Sequence, residues 1–260
     1  MIAALAALVL VASHPIVPNF GHVVVVVFEN HERGQIAGSR DAPTFNALAK
    51  RYASVTHYDG VTHPSLPNYL ALVSGSTQGI TSDCTACTAS GKSLADTLAA
   101  AGRTWKTYAE GYPSSPRYAK KHNPFLYFPG VDVKNIVALP RLAQDVRRNR
   151  LPDFSLVVPD LCDDMHDCSV ATGDAWLKTH VAPLADRRNT VVFVVFDEGT
   201  SDVGGGGNVE TLVLGPYVRP GSSSSAPTNH YGLLRTIEQA WHLQYLGASA
   251  QAKPITGIWR

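Results

Sequence analysis

Two uninterrupted apolar runs, residues 23–28 (Val-Val-Val-Val-Val-Phe) and 191–196 (Val-Val-Phe-Val-Val-Phe), each end directly in acid. Glu29-Asn30 follows the first and Asp197-Glu198 the second. A strand with one solvated face alternates apolar and polar residues, whereas a strand covered on both faces does not need to. Both runs therefore predict central strands of a parallel sheet with helices on either side. In such a sheet ligands bind beyond the carboxyl ends of the strands, which is where these acids stand. Burying an unpaired carboxylate is costly. Two such strand tips together offer three carboxylates and an amide, hard oxygen donors suited to a divalent cation.

Between them lies Thr62-His63-Pro64-Ser65-Leu66-Pro67-Asn68-Tyr69, running into the apolar residues 70–73. Proline is tolerated in the first helical turn, where its missing N–H has no helical partner. Pro67 thus predicts a helix start with Ser65 at or just before the N-cap. Serine there is commonly a plain cap. Free N–H groups at a helix mouth also hold anions, so the Ser65 hydroxyl is placed to attack a phosphorus whose oxygens those groups bind. Thr62 is the rival hydroxyl. Carboxylates and a helix-mouth serine together point to metal-assisted attack on a phosphate ester.

Apolar runs alternate with helical patterns along the chain, which predicts an α/β fold with a mostly parallel sheet. Helices are expected over residues 42–52, 67–74, 93–101, 139–148, 174–184 and 232–242. Further strands are expected over residues 104–108, 154–158 and 211–214, with the serine run 222–225 as a surface loop. No internal repeat or break in composition divides the 260 residues, so residues 14–260 read as a single domain. A formal net charge of +1 gives no general pull toward nucleic acid or anionic membrane, so phosphate recognition must be local.

Residues 2–12 are almost purely apolar, too short to span a bilayer but suited to the core of a secretory signal cleaved near Ser13. No Lys or Arg precedes the run, so a buried first strand is the alternative. The cysteines agree with export: Cys84 with Cys87 and Cys162 with Cys168 are each close enough to close a small loop. Two local disulfides are expected, ahead of a redox dithiol or a zinc site, because only the first pair has Cys-x-x-Cys spacing. The second pair brackets Asp163-Asp164-Met165-His166-Asp167. His166 in that loop and His230 at the start of the last helix are candidate general acids or bases. His63, His122, Lys121 and Asp164 are candidate substrate-binding residues.

Taken in order, Phe-Glu-Asn-His, Thr-His-Pro-Ser-x-Pro-Asn-Tyr, Lys-His-Asn-Pro-Phe, Asp-Met-His-Asp, Gly-Asp-Ala-Trp-Leu and Phe-Asp-Glu resemble the bacterial phosphoesterases related to phospholipase C and secreted acid phosphatases. The likeness runs from about Gly21 to the C-terminal Pro254-Ile255-Thr256-Gly257-Ile258-Trp259, and is strongest to phosphatidylinositol-3-phosphatase-type secreted acid phosphatases. It implies an alkaline-phosphatase-like, three-layer α/β/α fold and a phosphoserine route. By motif match Glu29, Asn30, Asp197 and Glu198 would be metal ligands and Ser65, favoured over Thr62, the nucleophile. His122, His166 and His230 would contact phosphate, metal or leaving group. Gly199-Thr200-Ser201 departs from the His-Gly-Gly that larger relatives often carry after the second acid pair, which leaves the number of metal ions open.

The expected activity is that of an exported metal-dependent phosphomonoesterase, of acid phosphatase type and with phosphoinositides among its candidate substrates. A phospholipase C-type phosphodiesterase is the runner-up. An exported metal- or lipid-binding protein without turnover is the alternative from another class. Oxygen ligands favour Mg²⁺, Ca²⁺ or Mn²⁺, and histidine participation would favour Zn²⁺ or Fe. The expected partner is a phosphate-ester substrate, with transient membrane-surface contact if that substrate is a lipid and no nucleic-acid binding.

Overall fold

The computed structural model describes residues 17–260, and the expected leader, residues 1–13, lies outside them. Along the chain run β1 (His22–Phe28), the short α1 (Arg33–Ile36), α2 (Pro43–Arg51), β2 (Ala53–Val55), β3 (Tyr58–Asp59), α3 (Ser65–Ser74), α4 (Leu94–Ala100) and β4 (Trp105–Ala109). There follow β5 (Ile136–Ala138), α5 (Pro140–Arg147), β6 (Phe154–Val158), α6 (Val170–His180), β7 (Thr190–Phe196), β8 (Thr211–Leu214), β9 (Ser222–Ser224), β10 (Thr228–Asn229) and α7 (His230–Ala240).

The main sheet has the order β5-β4-β6-β1-β7-β8-β2-β9. β8 runs antiparallel to both its neighbours, β7 and β2, and every other adjacent pair is parallel. The two apolar runs are adjacent central strands, and their register pairs Phe28 with Phe196. Side chains alternate across a strand, so residues three apart on β7 serve opposite faces. Phe196 packs with Phe28, Phe45 and, through Phe28, Trp176, beneath α2 and α6. Phe193 meets Phe20 and Trp259 on the other side. Helices α2 and α6 pack together in one outer layer and α3 packs against α7 and α4 in the other, giving three layers, α/β/α.

The serine run departs from expectation. Ser222–Ser224 is an edge strand paired in parallel with β2, not a loop. Backbone hydrogen bonds need no apolar side chain, and an edge strand has one flank in solvent. Helix α3 also begins earlier than expected: Pro64 is its N-cap and Ser65 its first helical residue. It ends at Gly75, whose φ of +68° is left-handed and where a side chain would run into the Leu246 carbonyl.

Candidate active site

Since Phe28 is level with Phe196, Glu29 and Asp197 leave the sheet side by side, as their strands' order requires. Both are buried, at 0% and 1% exposure, with Glu198 at 5%. Asn30 turns through a left-handed φ of 57°, which aims its backbone N–H at Asp197 Oδ1, 3.3 Å away. Across from these tips stands the first turn of α3. The Ser65 hydroxyl donates to Glu29 Oε2 at 3.0 Å and lies 3.3 Å from Glu198 Oε1. Ser65 is therefore joined directly to acids from both strands.

Residues three and four positions on share a helix face with Ser65. Tyr69 donates to Glu29 Oε1 at 2.6 Å. Asn68 accepts the N–H groups of Val61 and Thr62 at 2.8 and 3.1 Å and donates to the Thr62 carbonyl at 2.7 Å. It thereby shapes the loop that delivers Ser65. Thr62, the rival hydroxyl, donates to the His63 carbonyl at 3.3 Å.

The histidines have four different placements. His63 contacts Glu198 Oε2 through Nδ1 at 2.6 Å and the Ser201 carbonyl through Nε2 at 3.0 Å. Both partners are acceptors, which favours the doubly protonated ring. Burial opposes this, but the Ser201 carbonyl and Glu198 outweigh it and raise the His63 pKa. His166 lies at the mouth, its Nδ1 2.7 Å from Asp167 and its Nε2 3.4 Å from Lys121 Nζ. Lysine can only donate, so the Nε2 lone pair of this Asp-oriented ring accepts the long contact from Lys121.

His122 and Asp164, expected to touch substrate, instead form the buried floor. His122 is wholly buried, stacked on Tyr69 with its nitrogens 3.3 Å from Glu29 Oε1 and 3.1 Å from Asp164 Oδ2. Both stand behind Glu29, away from solvent. His230, the other candidate acid or base, is turned inward. Its Nε2 donates to the Asp197 carbonyl at 2.5 Å and its Nδ1 faces the Tyr58 hydroxyl at 3.0 Å. Burial holds its pKa down to about 4, so it is a neutral brace for the β7 tip with both nitrogens engaged. Both local cysteine pairs are disulfides, in place of a zinc site. The departing loop after Glu198 is clamped by Glu32, whose Oε1 accepts the N–H groups of Thr200 and Ser201, each at 3.0 Å.

Burial and then the neighbouring Asp197 and Asp164 push the Glu29 pKa well above the carboxylate range. Burial and Glu198 do the same to Asp197, whose Oδ2 has no hydrogen-bond partner. Acids crowded out of water with an orphaned oxygen are the donor set that a divalent cation satisfies. Glu29 and Glu198 meet Ser65 on the strand-tip side, and Asn30 is bonded to Asp197 beside them. Glu29, His122 and Asp164 form a second overlapping set, with ligand atoms all within 4.8 Å of one another, spacing that one ion could bridge. Glu29 belongs to both.

Sequence reasoning gave no role to Tyr69, Asn68, Glu32 or Asp83. The first two carried a signal, since Ser-x-Pro-Asn-Tyr puts them on Ser65's helix face. Asp83 carried none. It accepts the Leu66 N–H at 2.9 Å through Oδ1 and Lys121 Nζ at 2.8 Å through Oδ2.

Residues 38–244 match the sequence profile of the phosphoesterase family. Over 255 residues the chain is 36% identical to a phosphatidylinositol-3-phosphatase of Mycobacterium tuberculosis, covering 93% of this chain and 84% of that one. It is 27% identical over 256 residues to an acid phosphatase of Aspergillus niger, of which it spans 60%. Among solved structures, a protein of the alkaline phosphatase superfamily from Vibrio parahaemolyticus superposes with a TM-score of 0.64 at 14% identity, covering 92% of this chain and 71% of that one. Murine ectonucleotide pyrophosphatase/phosphodiesterase 5 gives 0.60 at 13% identity, covering 86% and 96%. These two likenesses show the alkaline-phosphatase-like fold.

Proposed function

The chain belongs to the phosphoesterase family, and on that premise we propose that it is an exported, metal-dependent phosphomonoesterase of acid phosphatase type that works through a phosphoserine on Ser65. It is a phosphoric ester hydrolase. One observation carries the finer reading: a helix-mouth hydroxyl bonded to acids from two adjacent strand tips. The mycobacterial relative's name favours phosphoinositide headgroups as the substrate class, reached by transient contact with a membrane surface.

Glu29, Asn30, Asp197 and Glu198 would hold the cation. When bound, it supplies positive charge that favours the seryl alkoxide and screens the phosphoryl oxygens. The chain's own residues do the rest. The Ser65 proton is directed at Glu29 Oε2 and Glu198 Oε1, and Ser65 Oγ bonds to phosphorus as the ester P–O bond breaks. The leaving alcohol takes a proton from water at the mouth. His166, oriented by Asp167 at Nδ1, accepts at Nε2 a proton from the water that then cleaves phosphoserine, as Lys121 turns from that nitrogen to the phosphoryl oxygens, and Ser65 recovers its own. Lys121, held half-buried beside His166, adds positive charge toward the phosphoryl oxygens.

The test is hydrolysis of p-nitrophenyl phosphate and bis-p-nitrophenyl phosphate, with and without chelator, by the native protein, Ser65→Ala and Thr62→Ala. Monoester turnover should be lost on chelation and in Ser65→Ala, and reduced mildly in Thr62→Ala. Turnover that survives chelation, full activity in Ser65→Ala, or a preference for the diester would each overturn a stated part of the reading.

A further inference from the structure

The loop between α3 and α4 places a carboxylate where this mechanism has use for a phosphate oxygen. Leu66 directly follows Ser65, and a first-turn amide has no acceptor within its own helix. That amide and the Lys121 ammonium are two donors near the nucleophile suited to non-bridging oxygens. Asp83 takes both, at 2.9 and 2.8 Å. Its loop is fastened twice just after it. The disulfide from Cys84 to Cys87 closes the turn beside Asp83, and Lys120 Nζ donates to the Thr85 carbonyl at 2.5 Å. Asp83 is thus tied to the segment that also carries Lys121. A simple cap would account for the Leu66 bond, since the N-cap Pro64 has no side chain able to make one. It would not account for the second oxygen being spent on Lys121.

We propose that Asp83 is a specificity-determining residue: it occupies the phosphate-oxygen donors beside Ser65 and weakens the binding of doubly charged phosphate groups relative to singly charged ones. Held by its loop, the carboxylate stays within the field of a bound phosphoryl group and partly neutralises Lys121. A dianion meets more of this repulsion than a monoanion, because Coulomb energy scales with charge. The inference rests on Ser65 as the phosphoryl acceptor, and it names what tunes that site.

Asp83→Asn removes the charge and keeps an oxygen for the Leu66 N–H. Inorganic phosphate should bind about three- to tenfold more tightly by calorimetry and by inhibition, the range that losing one opposing charge in a half-exposed site allows. KM for p-nitrophenyl phosphate should fall in proportion while kcat stays within about twofold. KM for bis-p-nitrophenyl phosphate should move much less. Asp83→Glu, which restores the charge, should return phosphate affinity toward the native value and guards against a folding artefact, checked by thermal melting. A raised KM with a reduced kcat in Asp83→Asn would mean that Asp83 only positions Lys121 and α3, and would overturn the proposal, as would unchanged phosphate affinity. The two readings fail separately. Phosphate tightening with full turnover in Ser65→Ala removes the nucleophile and keeps Asp83, whereas a dead Ser65→Ala with unchanged phosphate affinity in Asp83→Asn does the reverse.

Discussion

Tyr69→Phe deletes one oxygen from the buried centre and leaves the packing in place. The ring that stacks on His122, with centroids 5.2 Å apart and planes at 9°, is retained. What goes is the 2.6 Å hydrogen bond to Glu29 Oε1, between groups that are 1% and 0% exposed. Burial, and then Glu29 itself, push the Tyr69 hydroxyl pKa well above its usual value, so it is the donor at any working pH. Glu29 keeps the Ser65 hydroxyl on Oε2 and the His122 ring 3.3 Å from Oε1, but nothing replaces the lost donor. With the cation bound and Glu29 ionised, a hydrogen bond to it contributes about 1.5–3 kcal/mol. Partners that orient a metal ligand are commonly worth about 10- to 100-fold in metal affinity or activity, about 1.4–2.8 kcal/mol. The two routes agree, so Tyr69→Phe should weaken divalent-ion binding or kcat/KM by a combined factor of about 10 to 100. Calorimetric titration of the apoprotein with Mg²⁺, Ca²⁺, Mn²⁺ and Zn²⁺, beside steady-state hydrolysis, measures both. If metal affinity and kcat/KM both stay within twofold, the bond does not orient a ligand and Glu29's place in the metal set is wrong.

Two further outcomes follow from contacts outside the nucleophile. Converting Cys162 and Cys168 to serine should cost about 2 kcal/mol, the loop-closure value for so short a ring, and should lower turnover of the still-folded protein because the loop carries Asp164 and His166; unreduced peptide mapping that finds both thiols free would contradict it. Asp145, buried where α5 packs on β4, accepts from Lys106, from Arg141 Nε at 2.9 Å and from the Tyr108 hydroxyl at 2.9 Å. Burial opposes its ionisation, but those three donors prevail and hold its pKa below the usual carboxylate range. A depressed folded-state pKa contributes stability that is present above the unfolded value and lost as pH falls through the folded one. Asp145→Asn should therefore cost roughly 2 kcal/mol in urea unfolding at pH 7, discounted for the partial exposure of Lys106 and Arg141, with the gap closing as pH falls through the depressed folded-state pKa. A gap that widens in acid would refute the assignment.

What could be read in advance, and what could not, divides along a physical line. A chain segment that must be covered on both faces advertises itself by composition, so β1 and β7 were legible as central strands, and with them the convergence of Glu29 and Asp197. β9 has no such mark: its serines are held to β2 by backbone bonds alone, and any side chain would do. All ten residues of α3 are buried, so no polar stripe marks its axis and its start was misplaced by about a turn's fraction. The histidines show the limit most sharply. His122 sits between two carboxylates and His230 braces a strand tip, yet their immediate neighbours in the chain give no hint of which ring nitrogen meets what, and for His166 only Asp167 is such a neighbour. The partners of His230, Tyr58 and the Asp197 carbonyl, lie 172 and 33 residues away. A metal-ligand set is specified by strand tips, which the sheet order brings together in a predictable way. A proton-handling role is specified by which lone pair is left over once every other donor and acceptor has been matched, and that is a property of the packed centre as a whole. On this account Ser65 could be recognised from its helix and its flanking acids, whereas the division of labour between His166 and His230 required the contacts of Lys121, Asp167 and Tyr58 to be known first.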